Sequence, residues 1–480
     1  MEDGSIFVGK AGEIILGDYA VNILPKLRFH EDNELLRLTL YADQEKYVTT
    51  ILRMEDGSFF VGKAKEIVLE NYAVNILPKL KFHEYNELLR LILSADLREH
   101  LGPILGTENG SISARNPKAI ALRDYTVNIL PKLRFHEDNE LLRLILSADQ
   151  EEHITTISDM DDGSIFVGKK MRIFLDKYAV NILPKLRFHE RNELLCLILS
   201  ADLREHLGPI LERRQTFCPG EMKEMALKEY AIFILAKMDM TEGKYPSSLK
   251  LSMGSSPSLE ILRAGENIFL GDLEHVVFEG YALDLLTKII TREEEYKGIG
   301  ILCLRAAETA HITRTLEEAD KRIDIGEVNR MELYCYAVNV LPKLNIGKDN
   351  EMESIFMWIY DKKSMADILG MGDESIEIGR IKQSGLWVPE EIKPKLKYIF
   401  IDKTKREIME ERARERKREI MEERAREIAK ERKREIMEER AREIAKEKTR
   451  EIAKEETEEK TKKGSLPSRV LKKIFGRGRS

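Results

Sequence analysis

A nine-residue phrase returns along this chain at a nearly fixed interval. YAVNILPKL starts at Tyr19 and recurs at Tyr72 and Tyr178, with YTVNILPKL at Tyr125, so successive tyrosines stand 53 residues apart. Altered copies follow at Tyr230 (YAIFILAKM), Tyr281 (YALDLLTKI) and Tyr336 (YAVNVLPKL), after steps of 52, 51 and 55. An eighth trace, IKPKLKYIF, places Pro394 52 residues after Pro342, and MGDESIEIGR at 371–380 echoes MEDGSIFVGK at 1–10. A chain with such a period stacks one structural unit on the next, because no unit buries its apolar side alone.

A longer period lies above the first. Units one and three share ADQE, at 42–45 and 148–151, whereas units two and four share SADLREHLGPIL. Residues 19–40 and 125–146 differ only at Ala20/Thr126 and Thr39/Ile145, which points to duplication of a two-unit block of about 106 residues. The period divides the chain into four near-identical repeats at 1–212 and divergent repeats five to eight at 213–400. A charged segment follows at 403–463 and a basic tail at 464–480.

Within unit two, Leu69, Tyr72, Ala73, Ile76, Leu77 and Leu80 fall at i, i+3, i+4, i+7, i+8 and i+11, the stripe of an amphipathic α-helix. Pro78 interrupts it, and Ala236 and Thr287 replace the proline in units five and six, so one kinked helix is expected. Asn86 is the expected N-cap of a second helix through Leu88, Leu89, Ile92 and Leu93. Asp96 caps a short third one, ended by Gly102 and Pro103. DGSFFVGK reads as a hairpin or an extended linker. The fold expected from these features is all-α: a tandem-repeat α-solenoid with a long single charged α-helix at its C-terminus. A string of compact two-unit domains is the rival reading. In unit length and helix count the array resembles HEAT and armadillo proteins at the level of architecture, without a diagnostic consensus.

Segment 403–463 has no Gly or Pro, and glutamate holds every fourth place from Glu407 to Glu459. Pairs such as Glu422–Arg426 and Glu438–Arg442 add ~0.2–0.5 kcal/mol each to a helix. Ile420, Ile428, Ile436 and Ile444 recur every eight residues, which turns each ~80° past the last and leaves no coiled-coil seam. A solvated single helix is expected, serving as spacer, lever or oligomerisation strand.

Chemistry is sparse. No P-loop, GxSxG or HExxH occurs, and Gly298 and Gly300 lack the rest of a phosphate motif. His30, His83, His136 and His189 recur one repeat apart, where stacked units stand ~10 Å from each other, too far to share a metal at ~2 Å. No catalytic residue, metal or cofactor is expected, although the divergent stretch 213–330 is where a concealed enzyme would lie. Cys196, Cys218, Cys303 and Cys335 form no CxxC pair, which fits a reducing compartment. With no apolar leader and no run of ~20 apolar residues, an intracellular protein, cytoplasmic or nuclear, is expected.

Asn22, Asn75, Asn128, Asn181 and Asn339 stand three places after the tyrosine, off the expected apolar stripe. In an armadillo-like array such a row binds the backbone of an extended peptide, and the resemblance implies that role here, although Phe233 and Asp284 interrupt it. The tail carries Arg469, Lys472, Lys473, Arg477 and Arg479 without an acid, suited to nucleic acid or an anionic membrane. Elsewhere the charge argues against nucleic acid: the chain is at −6 overall, and unit two holds eight acids against six bases. The expected function is a non-enzymatic protein–protein interaction scaffold. The alternative is association with nucleic acid or a membrane surface through the tail.

Overall fold

The computed structural model describes residues 4–463 except 31–32, 84, 114–116, 136–140, 168–171, 188–193, 218–221, 239–245, 257–267, 271–272 and 292–297. The basic tail, with Arg469, Lys472, Lys473, Arg477 and Arg479, lies outside the described residues, as do His136, His189 and Cys218.

The repeats form strands where helices were expected. In unit two the six-residue stripe is cut into three pieces. Leu69 belongs to the strand Phe59–Asn71, Tyr72–Lys79 is a 3₁₀ segment, and Leu80 opens the strand Leu80–Phe82. Side chains at i and i+3 share a face in a 3₁₀ turn as they do in an α-helix, so the spacing did not separate the two. The backbone does. Asn71 sits at φ 54° and ψ −132°, which breaks any helix that would run through it. The same left-handed φ recurs at Asp18, Asp124, Lys177, Glu229, Gly280 and Cys335, one junction per unit. Pro78 lies inside the 3₁₀ segment, and its carbonyl accepts from Gly57 N at 3.0 Å. Pro25, Pro131, Pro184 and Pro342 accept in the same way from Gly4, Gly110, Gly163 and Lys321.

The expected helix through Leu88, Leu89, Ile92 and Leu93 is likewise a strand, Arg90–Ala95. Leu91, Leu93 and Ala95 are buried, and Ile92 and Ser94 are half-buried on the other face. Because both faces carry aliphatic residues, LRLIL conceals its period of two. Asn86 caps no helix; its Oδ1 accepts from Ala64 N at 2.7 Å. Gly102 and Pro103 open the helical turn Gly102–Leu105 instead of closing one. DGSFFVGK is neither hairpin nor linker, since Phe59 and Phe60 pair in parallel with Leu80 and Lys81.

The all-α solenoid and the HEAT/armadillo resemblance therefore give way to an α/β chain with a 16-stranded parallel sheet and a C-terminal α-helix. Strands that follow one another in sequence are neighbours in the sheet, from Glu13–Gly17 at one end to Leu386–Trp387 at the other. Register fixes the coil length: Glu13 pairs Arg37, Arg37 pairs Glu66, Glu66 pairs Arg90 and Arg90 pairs Ala119. Steps of 24 and 29 residues thus alternate, and the 53-residue unit is two coils of a parallel β-solenoid. A second column of short parallel pairs marks each unit once: Ile6 with Leu27, Phe59 with Leu80, Ile112 with Leu133, Ile165 with Leu186, and four more to Ile376 with Leu396.

The 3₁₀ segments pack on the strands they follow and on the helical turns of neighbouring coils, and the core lies among them. Leu38, Leu69, Leu93, Leu122, Leu146 and Leu199 are fully buried there, each worth ~1.5–3 kcal/mol against exposure. Met1–Thr404 forms one compact unit. Separately, Lys405–Lys463 is a single α-helix whose described side chains are exposed apart from the half-buried Glu407, with Arg426–Glu422 and Arg442–Glu438 ion pairs at 3.8 and 3.7 Å. No helix among the described residues is long and apolar enough to cross a membrane.

Candidate interaction surface

The asparagine row exists, but it faces inward. Asn75, Asn128, Asn181 and Asn339 are buried, and Asn22 is half-buried. Asn75 Nδ2 donates to the carbonyls of Tyr72 at 3.0 Å and His100 at 2.6 Å, and its Oδ1 accepts from Ile104 N at 3.0 Å. Asn181 repeats the set with Tyr178, His206 and Ile210. Asn339 bonds Ser364 O and Ile368 N, and Asn128 donates to His153 O. Asn75, Asn128, Asn181 and Asn339 therefore tie their 3₁₀ segments to the helical turn one coil on, where buried backbone groups need partners. The accessibility expected of these amides followed from an α-helical wheel. With a 3₁₀ turn in its place they point into the core.

Beside Asn75, Asn128 and Asn181 lies a histidine that the sequence did not single out. His100, His153 and His206 are buried against Tyr72, Tyr125 and Tyr178, with ring centroids 4.5–4.8 Å apart. Burial lowers the affinity of all three imidazoles for a proton, against the pull of nearby carboxylates. His30 and His83 of the FHE motif are exposed and half-buried respectively. Among the described residues no three His, Cys, Asp or Glu gather as a metal site.

Exposed chemistry belongs to the outer face of the main sheet. Strand alternation sends every second residue there, and register lines these residues into rows. The middle row runs Ile92, Ala121, Ile145, Phe174 and Ile198 across units two to four, an aliphatic spine with Phe174 beneath the Arg143 guanidinium at 5.6 Å. Along one flank of the first units, Glu13, Arg37, Glu66 and Arg90 alternate in sign. They form ion pairs of 3.9, 3.5 and 3.6 Å from strand to strand.

Toward the C-terminal end the row changes character. Glu332, Phe356 and Trp387 are paired across three strands, and Tyr334 is paired with Trp358 beside them. Ring centroids stand 6.1 Å apart for Tyr334–Phe356, 6.3 Å for Phe356–Trp358 and 6.3 Å for Trp358–Tyr360. Trp358 is 49% exposed, Trp387 64% and Tyr360 79%. These are the two tryptophans of the whole chain, and both lie on one face of one sheet. The period-two reading of SIFMW, with Ile355 and Met357 inward and Phe356 and Trp358 outward, is the signal that would have found them.

Charges around the platform are paired. Arg330 donates two hydrogen bonds to Glu353, at 2.9 and 2.7 Å, and Lys362 meets Glu391 at 3.2 Å. Arg305 lies 5.0 Å over the Tyr334 ring. The Tyr334 hydroxyl donates to Glu332 at 3.0 Å, and burial together with that carboxylate holds its proton more tightly than usual. Exposed aromatic rings beside these ion pairs present apolar area of the kind that marks an interaction site. No family model, no curated protein and no solved structure matches this chain.

Proposed function

We infer that the chain is a non-enzymatic protein-binding scaffold whose partner docks apolar side chains on the aromatic platform of Tyr334, Phe356, Trp358, Tyr360 and Trp387. The observation that carries this reading is the clustering of both tryptophans, exposed, on the open face of the sheet. Trp, Tyr and Arg dominate the energetics of protein interfaces, and a patch ringed by satisfied ion pairs has the anatomy of a hot spot with its rim. Large exposed rings cost a soluble protein aggregation resistance unless something covers them.

The test compares the full chain with the double variant Trp358→Ala, Trp387→Ala by crosslinking and mass spectrometry in native extract. Proteins crosslinked to the wild-type platform should be lost from the variant, while circular dichroism stays unchanged. Binding of a recovered partner should also shift tryptophan emission to the blue, since both indoles report from this site. Identical crosslink partners for the two chains would refute the reading.

A further inference from the structure

Units two, three and four present the same buried imidazole to three different side chains. His100, His153 and His206 are 4–5% exposed, and their rings lie against Tyr72, Tyr125 and Tyr178 at interplanar angles of 56–60°. The residue before each tyrosine takes the same strained backbone. Its φ is 54° at Asn71, 54° at Asp124 and 55° at Lys177, with ψ between −129° and −133°. Burial and ring packing are therefore matched, and the junction charge differs: neutral, negative and positive. Around His100 and His206 even the turn is the same, since SADLREHLGPIL runs over 94–105 and 200–211. His153 Nδ1 accepts from Gln150 N at 3.3 Å and lies 3.3 Å from Asp124 Oδ1, so a proton arriving there closes an ion pair. Asp149, Glu152 and Asp96 favour that proton as well. His206 Nδ1 accepts from Leu203 N at 3.4 Å. Asp202, Glu205 and Asp176 draw a proton toward it, whereas the Lys177 ammonium, 2.8 Å from Asp149, repels one. His100 stands between the two cases. Its Nδ1 is buried without a hydrogen-bond partner, Asn71 brings no charge, and the acids that act on it are Glu99, Asp96 and Asp43.

We propose that the junction residues make the first half of the array an acid-responsive device with a built-in order: as pH falls, the turn at 204–211 leaves the core first, the turn at 98–105 follows, and the turn at 151–158 stays seated. The link from imidazole to turn is direct. The carbonyls of His100, His153 and His206 are those that Asn75, Asn128 and Asn181 hold across the coils. A charge created in a dry core without a counter-ion is costly, and the turn sheds that cost by opening to water. Burial lowers the proton affinity of all three imidazoles, so stability is lost as pH falls below the ordinary value of 6.5. The junction decides how large the loss is. At His206 the Lys177 charge adds to the cost, and at His153 the Asp124 carboxylate offsets it. Asp124 is half-buried and its own proton affinity is raised by burial, so acid also favours the fold at that junction. Acid thus loosens the coil contacts of units two and four and keeps unit three closed between them.

The experiment is hydrogen exchange of the full chain at pH 7 and pH 5, read by mass spectrometry and corrected for the intrinsic exchange rate, beside an NMR titration of the histidine Cε1–H resonances. Acid should speed exchange most at 204–211, less at 98–105 and least at 151–158. The resonances should titrate in the matching order, His153 at the highest pH and His206 at the lowest. Lys177→Asn gives His206 the junction that His100 has. With the turns identical, its acid-induced opening at 204–211 should fall by ~3–10-fold, to the level of 98–105. Asp124→Asn should do the reverse in unit three, moving the His153 titration to lower pH and letting 151–158 open in acid as 98–105 does. Equal opening at the three turns of the wild type overturns the proposal. So does a Lys177→Asn chain in which 204–211 still opens ahead of 98–105, or a His153 that takes up its proton at lower pH than His206.

Discussion

Units one to four and units five to eight wind the same coil, yet they fill two slots differently. In the ladder slot the first half carries asparagine throughout, whereas the second carries Phe233, Asp284 and then Asn339. On the outer face the first half keeps an aliphatic spine beside alternating Glu and Arg, and the far end builds an aromatic platform. The inward slot faces backbone groups one coil away, which Asn75, Asn181 and Asn339 partner by both donating and accepting and which Phe233 leaves to other partners. The outward slot meets no such demand, and its chemistry is free to vary with whatever lies against it.

The largest effect should come from removing the amide where the ladder is complete. Asn181→Ala leaves His206 O and Ile210 N without partners in a dry core. At ~1–3 kcal/mol for each orphaned group, the variant should lose about 3–5 kcal/mol. Hydrogen exchange should show the amides of Arg204–Leu211 opening first. The same substitution at Phe233, which is half-buried, should cost less than half as much in urea titration. Equal losses would mean that the ladder does not distinguish the two halves.

Asp284 tests the comparison from the other side. It is buried in the ladder slot, where its Oδ1 accepts from Thr315 Oγ1 at 3.3 Å. Burial raises its pKa from 3.8 to about 6, against the opposing pull of Arg314. The folded carboxyl therefore keeps its proton where the unfolded one has released it. Its contribution to stability is fully present below pH 3.8 and is lost as pH rises through about 6. The gap is worth up to ~3 kcal/mol above that range. Asp284→Asn should recover most of this at pH 8 and almost none at pH 4, as read by chemical denaturation at the two values.

The histidines of the first half run in the opposite sense. His100, His153 and His206 have lowered proton affinity in the fold, chiefly through burial. Their stability is fully present above the unfolded value of 6.5 and is lost as pH falls below it, because the unfolded chain then takes up protons that the core refuses. Between pH 7 and pH 5, hydrogen exchange should quicken around residues 98–105 and 204–211 while slowing around Asp284. A uniform response along the array would break the contrast.

How much of this was legible in the sequence follows from the same slots. The period, the Glu–Arg pairing and the change of character near residue 403 were plain, because each depends on spacing alone. The secondary structure was misread at YAVNILPKL because a 3₁₀ turn and an α-helix both place i and i+3 together. It was misread at LRLIL because Ile92 and its counterparts make the outward face apolar as well. The residue that would have corrected the reading is the one before each tyrosine. Asn71, Asp124, Lys177 and Glu229 share no side-chain preference for positive φ, and only Gly280 advertises the turn. The aromatic platform was invisible for a related reason: Trp358 and Trp387 lie 29 residues apart, and only strand register brings them to one face.

That junction residue yields the smallest effect and the finest comparison. A side chain at φ near 55° and ψ near −130° costs ~1–3 kcal/mol unless its contacts offset the strain. Some contacts do. Asn71 Nδ2 donates to Asp43 at 3.0 Å, and the Glu229 carboxylate accepts from Gly254 N at 2.8 Å. At Gly280 the backbone comes so close that an added Cβ would stand 2.2 Å from the Met253 carbonyl oxygen. Cys335 has the strained φ of 56° and a half-buried thiol that burial keeps protonated. Cys335→Gly should relieve the strain at the cost of some unfolded-state entropy, for a net gain of about 0.5–1 kcal/mol. Glu229→Gly surrenders the carboxylate's bonds to the next turn and should gain nothing. If the two glycine substitutions shift the urea midpoint equally, the junctions are set by backbone strain alone, and the side chains that differ between the halves have no part in holding one coil to the next.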